Sequence, residues 1–256
     1  GARYDHYSDV GSSFNPRFSL TWGFIEQYNF IATYGSAFRA PTFGELYNIN
    51  NPSIIGNPDV QPEEIETIEL GVNGDITKRT GFRVTWFNND ITNLIGPTPT
   101  PSGAAISESG NVGRLKVNGV EFEVSSRLRD GSNLALNYTY QHPVNEVTDE
   151  RSAEVPIHKG NASFNYRHSK YLDGFIGLMY RGSLSRDQAD MRGDIPDLVT
   201  VDVAVSWKNY IEGLELQASI YNLSDKTYFD PSPVGSMLSD YPKPGRSLMV
   251  ELSYQL

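Results

Sequence analysis

The stretch VTVDVAVSW, residues Val199–Trp207, decides how the chain folds. Its odd-numbered positions are all apolar, whereas Asp202 and the other even-numbered positions are small or polar. Successive side chains of a β-strand point to opposite faces of the sheet, so an alternation with period two predicts a strand. The stretch GLELQASIYN, residues Gly213–Asn222, alternates in the same way a few residues later. We therefore expect two consecutive strands joined by a short turn.

The same alternation runs through most of the chain. It recurs, by residue number, at 17–22, 68–73, 82–87, 119–125, 134–141, 161–167 and 247–256. The polar face carries Glu, Asp, Arg and Asn in mid-strand, whereas the apolar face is nearly uncharged. Lipid on the apolar side and water on the other account for both faces, which the core of a soluble sandwich does not. The pattern predicts an all-β protein, a transmembrane antiparallel β-barrel with about 12 strands here, each of about ten residues.

The connections between these strands alternate between short and long. Short turns are expected at residues 23–28, 77–81, 129–133, 168–174 and 208–213, and long loops at 40–66, 95–111, 142–160, 183–197 and 228–245. The first connection, at residues 9–13, is an exception because it is also short. Bacterial outer-membrane barrels have short periplasmic turns and longer external loops. The alternation therefore predicts an outer-membrane barrel whose long loops face the cell exterior.

Composition agrees with a membrane barrel and argues against several other classes. The 256 residues include 15 tyrosines, and Tyr and Trp collect at membrane–water interfaces. The absence of cysteine excludes disulfides, thiolate metal sites and cysteine nucleophiles. A net charge of −10 argues against a nucleic-acid partner. Because the sequence has no phosphate-binding loop and no hydrolase or metalloprotease motif, we expect no enzymatic activity, catalytic residue, metal or cofactor.

Four segments of the sequence resemble one known family. They are YGSAFRAPTFGELY (Tyr34–Tyr47) followed by GNPDVQPEEIETIELG (Gly56–Gly71), then NVGRLKVNGVEFEV (Asn111–Val124), YNLSDKTYFD (Tyr221–Asp230), and PGRS (Pro244–Ser247) at the start of the final strand. Each is similar to a segment of the TonB-dependent outer-membrane receptors, and the four occur in the order and spacing of that family. The resemblance implies a barrel of about 22 strands, filled by an N-terminal plug domain.

On this resemblance, residues 1–256 form the C-terminal portion of such a barrel, and we expect the plug domain and the TonB-coupling segment to lie outside this chain. The implied function is the import of a scarce metal chelate, most simply a ferric siderophore, with energy from TonB acting through the plug. The implied surroundings are outer-membrane lipid and lipopolysaccharide. Cobalamin and haem are the alternative cargoes within the family. A self-contained small barrel, such as an autotransporter translocator, is the alternative outside it.

The haem alternative depends on a histidine that this sequence lacks. Haem receptors of the family carry FRAP and NPNL boxes with a haem-ligating histidine between them. Here FRAP (Phe38–Pro41) and NPDV (Asn57–Val60) enclose no histidine. We therefore interpret the two boxes as structural, with Arg39 shaping the exit from a strand and Asn57 beginning a turn.

The external loops carry the candidate ligand-binding residues, because aromatic rings with a few polar groups suit a chelate. The alternative is that they are ordinary loop surface with an aromatic girdle. The candidates are Arg39, Tyr47, Arg186, Arg192, Tyr228, Phe229 and Tyr241. The loops show no cluster of Arg and Lys, which favours a weakly charged chelate such as a hydroxamate or mixed siderophore, or a corrinoid.

Two further sets of polar residues have both a functional and a simpler interpretation. His142 and His158 lie at the two ends of one loop and could meet as metal ligands, but two histidines without a third donor are more often solvated. Inward carboxylates could act as acid and base, but in a barrel they more often line the water-filled lumen or pair with plug arginines. These carboxylates are Glu69, Glu121, Glu123, Asp202 and Glu251.

Overall fold

The computed structural model describes residues 1–100, 106–208, 211–233 and 237–255, so Leu256 lies outside it. The long strands in this part of the chain are β1 (Ala2–Tyr7), β2 (Gly11–Ile25), β3 (Tyr28–Arg39), β5 (Glu63–Thr77), β6 (Thr80–Pro99), β7 (Ser107–Arg127), β8 (Asn133–Asn145), β10 (His158–Arg167), β11 (Leu172–Arg181), β12 (Leu198–Lys208), β13 (Leu214–Tyr221) and β16 (Ser247–Tyr254). The two-residue strands are β4 (Ile54–Ile55), β9 (Glu150–Arg151), β14 (Phe229–Asp230) and β15 (Tyr241–Pro242). One helix, α1, spans Phe43–Tyr47.

The long strands form one antiparallel sheet in the order β1-β2-β3-β5-β6-β7-β8-β10-β11-β12-β13-β16. β9 extends this sheet beside β8, and β4 pairs with β7 in parallel. The order confirms the prediction of about 12 strands running up and down. Within the described ranges the sheet is open, because β1 and β16 each pair with only one long strand.

The two ends of the sheet differ, as the sequence predicted. One end, here called the turn end, carries the short connections after β2, β5, β7 and β10. The other, the loop end, carries the long segments between β3 and β5, β8 and β10, β11 and β12, and β13 and β16. The short connection between β1 and β2 also lies at the loop end. The long loops, with their side chains, are therefore gathered at one end of the sheet.

The strands are strongly staggered along the sheet. A line of directly opposed residues starts at Tyr28, at the turn end of β3, and passes through Gly74 and Phe82 into β6. It continues through Val124, Leu136, Ala162 and Leu178, and it reaches Val201 close to the loop end of β12. Tilted strands with a fixed stagger are the geometry by which a sheet closes into a barrel.

The two faces of the sheet have opposite character. On the outer face of β16, Leu248, Val250 and Leu252 are at least 60% exposed. On the inner face, the Thr33 hydroxyl donates a hydrogen bond to Glu69 on the neighbouring strand, at 2.9 Å. A soluble monomer does not leave a continuous apolar face open to water, so a lipid environment accounts for this arrangement.

In the part of the chain that the structure describes, no helix has the length and apolar character needed to span a membrane.

The buried apolar side chains lie mainly beneath the loops rather than within the sheet. Leu46 and Val60 are buried in the segment between β3 and β5, and Leu184, Ile195 and Leu198 in or beside the segment between β11 and β12. Each of these side chains is less than 5% exposed. The long loops therefore have small cores of their own, which hold their polar side chains in fixed positions.

The loop predicted at residues 95–111 is largely strand, which corrects the sequence interpretation. β6 continues to Pro99 and β7 begins at Ser107, so the two strands form a hairpin that extends past their neighbours. The strand end at residues 95–99 carries prolines at positions 97 and 99, which are unusual in a strand because proline interrupts a central one. Both lie beyond Thr92, the residue that pairs last with β5, so the N–H groups they lack would have faced an open edge.

One glycine on the inner face is required by packing. A Cβ at Gly119 would lie 2.6 Å from Cζ of Phe87 and would also collide with the backbone carbonyl of Tyr140. The Phe87 ring itself is only 8% exposed, although it belongs to the polar face. Phe87 thus packs closely against the backbone of β7, which is possible only because residue 119 has no side chain.

Candidate functional site

The first long loop is anchored to the sheet by Arg39, the last residue of β3. Its Nε lies 2.6 Å from Oε2 of Glu63 on β5, and its Nη1 lies 3.0 Å from Oε2 of Glu45 in α1. Glu63 also accepts a hydrogen bond from the backbone N–H of Ile95, at 2.9 Å. One guanidinium therefore holds α1 against the ends of β3 and β5, which agrees with the interpretation of FRAP as a structural box.

α1 begins with a reciprocal cap. The Thr42 hydroxyl accepts a hydrogen bond from the Glu45 N–H, and the Glu45 carboxylate accepts one from the Thr42 N–H, at 3.2 and 2.7 Å. The guanidinium of Arg39 holds the pKa of Glu45 below its usual range. On the outside of the helix, the Phe43 and Tyr47 rings lie 6.3 Å apart and are 78% and 48% exposed. Tyr47 is thus available to a ligand.

A second cluster joins the loop between β11 and β12 to the loop between β13 and β16. Arg186 forms a bidentate pair with Asp240, in which Nη1 lies 3.1 Å from Oδ1. Arg192 donates from Nε to Asp190, at 2.9 Å, and from Nη1 and Nη2 to the hydroxyl and carbonyl oxygens of Ser232, both at 2.8 Å. We call these five residues the interloop cluster.

The interloop cluster is largely buried, and its two most exposed side chains, Arg192 and Asp240, are 26% and 17% exposed. The side chains of Arg186 and Asp190 are 6% and 7% exposed. Arg186 lowers the pKa of Asp240, and Arg192 lowers the pKa of Asp190, because a nearby cation stabilises the ionised carboxylate more than burial opposes it. Two guanidiniums face two carboxylates, so the cluster is neutral overall and its burial leaves no charge uncompensated.

The predicted aromatic residues of the last loop border the short hairpin of β14 and β15. Asp230 of β14 is opposite Tyr241 of β15. The Tyr228 carbonyl accepts a hydrogen bond from the Lys243 N–H, at 3.0 Å, and Nζ of Lys243 lies 2.6 Å from Oδ2 of Asp230. Phe229 and Tyr241 are 37% and 43% exposed. This hairpin therefore presents aromatic rings beside an ion pair that is contained within its own loop.

The structure divides the seven predicted ligand residues into two groups. The three arginines use their donors inside the protein, whereas most of the aromatic rings remain partly open. Five of the seven lie in the two loops that the interloop cluster joins: Arg186, Arg192, Tyr228, Phe229 and Tyr241. Arg39 and Tyr47 belong to a different loop, and no contact within the described ranges links them to the other five.

The inner face borders an open cavity of about 990 Å³ that extends to the turn end, where Glu26 and Gln27 line it. Arg83, Glu121, Glu123 and Lys159 are among its lining residues. None of these four forms an ion pair with another residue that the structure describes. As far as the described residues show, the wall of the cavity therefore carries unpaired charges of both signs.

Arg181 lies on the same inner face, at the loop end of β11. It is directly opposite Lys159 of β10. Its Nη1 lies 3.8 Å from Oδ1 of Asp230, too far for a hydrogen bond. Its Nε and Nη2 are buried and find no hydrogen-bond acceptor within the described ranges. Arg181 is therefore a mostly covered cation, two of whose guanidinium nitrogens lack an acceptor in the described part of the chain.

The two histidines considered as metal ligands belong to the outer face. Nδ1 of His158 lies 2.7 Å from the Tyr138 hydroxyl, and its ring packs against Tyr140 with centroids 5.4 Å apart. His142 is opposite Asn118 of β7. No group of three or more His, Asp or Glu side chains arranged to hold a metal occurs in the described part of the chain.

These observations agree with a comparison against known families. The model of the family described as TonB dependent receptor-like, β-barrel, matches residues 1–223. The chain belongs to this family. The resemblance drawn from the four sequence segments is thereby confirmed, as are the all-β membrane fold and the outer-membrane location. The family and the structural neighbours are transport receptors rather than enzymes, which confirms the expectation that this chain is not an enzyme.

Individual relatives of this receptor chain match most of it at low identity. It is 25% identical over 247 residues to an iron-regulated outer membrane virulence protein of Vibrio cholerae, covering 88% of this chain and 38% of the relative. It is 26% identical over 231 residues to a vitamin B12 transporter of Vibrio vulnificus, covering 88% of this chain and 35% of that protein. The chain thus spans well under half the length of the curated relatives it matches.

Solved structures share the fold. A mutant of the ferric enterobactin receptor of Pseudomonas aeruginosa superposes with a TM-score of 0.82 at 21% identity, covering 99% of this chain and 41% of that one. A siderophore receptor of Acinetobacter baumannii superposes with a TM-score of 0.81 at 20% identity, with 99% and 42% covered. The open sheet therefore shares its fold with about two fifths of each of these structures.

Sequence reasoning about this receptor chain missed the residues that complete its charge clusters. Asp240 lies 54 positions from Arg186, and Ser232 lies 40 positions from Arg192, so spacing gives no sign of the contacts. Arg181 and Lys159 were also missed, because they lie at strand ends 22 positions apart rather than in a loop. Both residues occupy inward-facing positions of strands with alternating faces, and this was the sequence signal that could have identified them.

Proposed function

We propose that this chain is the C-terminal portion of the barrel of an outer-membrane receptor that imports a ferric chelate with energy from TonB. The observation that carries the proposal is the family match over residues 1–223 on a sheet that is apolar outside and polar inside. Such a wall serves as a rigid conduit, while the loops at its end first bind the chelate. TonB, acting through a plug domain, would drive release inward, and the outer face would contact lipid and lipopolysaccharide.

A ferric siderophore is the cargo that the comparisons favour. One relative is named for its iron regulation, and the structural neighbours are named as ferric enterobactin and siderophore receptors. Low identity restricts the structural likeness to the fold, so the siderophore assignment rests on the names of related proteins together with the polar, aromatic loop end. Haem is disfavoured because the segment between FRAP and NPDV lacks a histidine donor.

Cobalamin is the second candidate cargo. A relative named as a vitamin B12 transporter matches 88% of this chain at 26% identity, a level similar to that of the iron-regulated relative. Cobalamin offers little negative charge, and its corrin ring would pack against exposed aromatic side chains. Tyr47, Phe229 and Tyr241 are available for such packing.

Within either function, we propose that the partly exposed rings of Tyr47, Tyr228, Phe229 and Tyr241 contact the chelate directly. Arg39, Arg186 and Arg192 would act differently from the role that the sequence suggested. Because their donors are bound to carboxylates of the protein, they would hold the ligand-binding loops in place.

The experiment that tests the function is uptake by the full-length native receptor, expressed in an outer membrane that lacks other ferric-chelate and cobalamin receptors. We expect accumulation of radiolabelled iron from a ferric siderophore, and loss of that accumulation when TonB is deleted or the proton gradient is collapsed. Uptake of labelled cobalamin without iron would select the second candidate. Uptake of neither cargo, with the receptor present at the surface, would contradict the proposed function.

A further inference from the structure

We propose that Arg181 and Lys159 form an oxyanion-binding site on the inner wall of the barrel, where the imported chelate is held by its negative charge. The inference deepens the proposed function and rests on it, since it assigns a substrate class to the same conduit. It predicts a ferric chelate that carries carboxylate or catecholate oxygens, in contrast to the weakly charged chelate that the composition of the loops favoured. The site lies just below the loops, at the end of the wall that a ligand would reach first.

The first observation is the pairing of two cations. Lys159 and Arg181 are directly opposed residues of β10 and β11, and both face inward. Opposed residues of antiparallel strands bring their Cβ atoms within about 5 Å, and like charges at such a pair destabilise a sheet. No carboxylate on the neighbouring strands offsets this pair, because Thr139 of β8 is opposite Lys159 and Leu198 of β12 is opposite Arg181. A bound anion would remove the repulsion.

The second observation is the unsatisfied guanidinium of Arg181. Its side chain is only 18% exposed, yet its Nε and Nη2 have no acceptor within the described ranges. Buried donors of this kind are rare, because a buried N–H without an acceptor loses the hydrogen bond that it makes to water in the unfolded chain. The other arginines that sequence analysis selected show the contrast, because Arg39, Arg186 and Arg192 all donate to carboxylates.

The third observation concerns the carboxylate nearest to the site. Asp230 is the carboxylate nearest to Arg181, but it is 3.8 Å from Nη1 and only 2.6 Å from Nζ of Lys243. Asp230 and Lys243 lie in the same loop, so the hairpin of β14 and β15 contains a complete ion pair of its own. Asp230 is therefore neutralised within its own loop, which leaves the charge of Arg181 available to an anion.

The chemistry of the two side chains defines the ligand. The planar guanidinium presents paired N–H groups that match two oxygens of a carboxylate or catecholate, whereas the Lys159 ammonium adds a mobile point charge. Iron(III) bound by three catecholates is trianionic, whereas iron(III) bound by three hydroxamates is neutral. These two chelates are similar in size and differ in charge, so they are suitable probes.

The test uses the full-length receptor, purified in detergent, and measures its affinity for a ferric tris-catecholate and a ferric trihydroxamate by quenching of tryptophan fluorescence. We expect Arg181→Gln to weaken tris-catecholate binding by about 10-fold to 100-fold, since a charge-assisted hydrogen bond is lost. Lys159→Gln should weaken it by less. Binding of the trihydroxamate should change by no more than about twofold in either variant. Arg83→Gln, which removes an inward cation near the turn end, is the matched control.

Three results would overturn the anion site. They are equal tris-catecholate affinity in the wild type and in Arg181→Gln, equal loss for both chelates, and equal loss in the Arg83→Gln control. Asp230→Asn supplies a variant that keeps Arg181, and it should bind the tris-catecholate at least as tightly as the wild type. A wild-type receptor that binds and imports only the neutral chelate would refute the site but keep the proposed function. A receptor that imports no ferric chelate would refute both.

Discussion

The substitution Asp240→Asn tests whether the interloop cluster holds two external loops together. In the native protein Asp240 accepts a bidentate pair from Arg186 and a further hydrogen bond from the Ser232 N–H, at 3.3 Å. Asparagine keeps the shape of the side chain but removes its charge and one acceptor oxygen. Two guanidiniums, of Arg186 and Arg192, would then face the single carboxylate of Asp190.

The structure sets the size of the expected effect. Breaking a fully buried ion pair costs about 3–5 kcal/mol, and breaking an exposed pair costs about 0–1 kcal/mol. Asp240 is 17% exposed and Arg186 is 6% exposed, so the site lies between these limits. We therefore expect the free energy of local opening of the two loops to fall by about 1–3 kcal/mol. That corresponds to hydrogen exchange about 5-fold to 150-fold faster, with the unfolding temperature of the barrel unchanged.

The assay is hydrogen–deuterium exchange of the full-length receptor in detergent, followed in peptides that cover Leu184–Ile195 and the segment around Ser232. Asp197→Asn is the matched control, because Asp197 is an exposed residue of the same loop that makes no ion pair with a described residue. Adding Arg186→Gln to Asp240→Asn should restore part of the protection, since it removes the unpaired cation. Unchanged exchange in Asp240→Asn, or an equal change in Asp197→Asn, would refute the reasoning.

Further expectations concern pH, the first loop, the inner face and the lipid face. Asp190 and Asp240 have pKa values below the usual value of about 3.9. The two loops should therefore keep their protection from hydrogen exchange from neutral pH down to about pH 4 and lose it only below that pH. Hydrogen exchange corrected for intrinsic rates measures this. Thr42→Ala removes the cap of α1 and should lower the local stability of the first loop by about 1 kcal/mol, seen as faster limited proteolysis there, whereas Thr148→Ala should leave that loop unaffected. Gly119→Ala should destabilise the barrel by about 1–3 kcal/mol, with partial recovery in Gly119→Ala/Phe87→Leu, and a lack of any loss in urea unfolding would contradict the packing described. Val203→Arg should cost about 2–4 kcal/mol in lipid bilayers and Ala204→Arg much less, because only the first faces lipid; equal costs would mean that the faces are assigned wrongly.

The fold could be predicted from the sequence because the alternation within each strand shows which residues belong to each face of the sheet. The alternation in Val199–Trp207 places Val203 and Ala204 on opposite faces without any knowledge of the neighbouring strands. The error at residues 95–111 includes Pro97 and Pro99, whose effect depends on whether a strand lies alongside. That information belongs to the register between strands, and alternation does not contain it.

The candidate site could be predicted only in part, for a related reason. The sequence showed that Arg186 and Arg192 lie in an external loop, and loops of a receptor are where ligands are met. It could not show that Asp240, about fifty positions later, would satisfy both of them. Charged loop residues form ion pairs with segments that are distant along the chain. No periodic pattern in the sequence indicates those contacts.

The stagger of the strands has a practical consequence for mapping this receptor in its membrane. Because the ladder of opposed residues rises from Tyr28 at the turn end to Val201 near the loop end, a step sideways along the ladder is also a step in depth. A fluorescent or spin label moved along Phe82, Leu136 and Leu178 would travel from one leaflet toward the other while staying on the lipid face. Depth-dependent quenchers should quench labels at these positions to graded extents. The line of opposed residues therefore gives a set of sites at known relative depths in the bilayer.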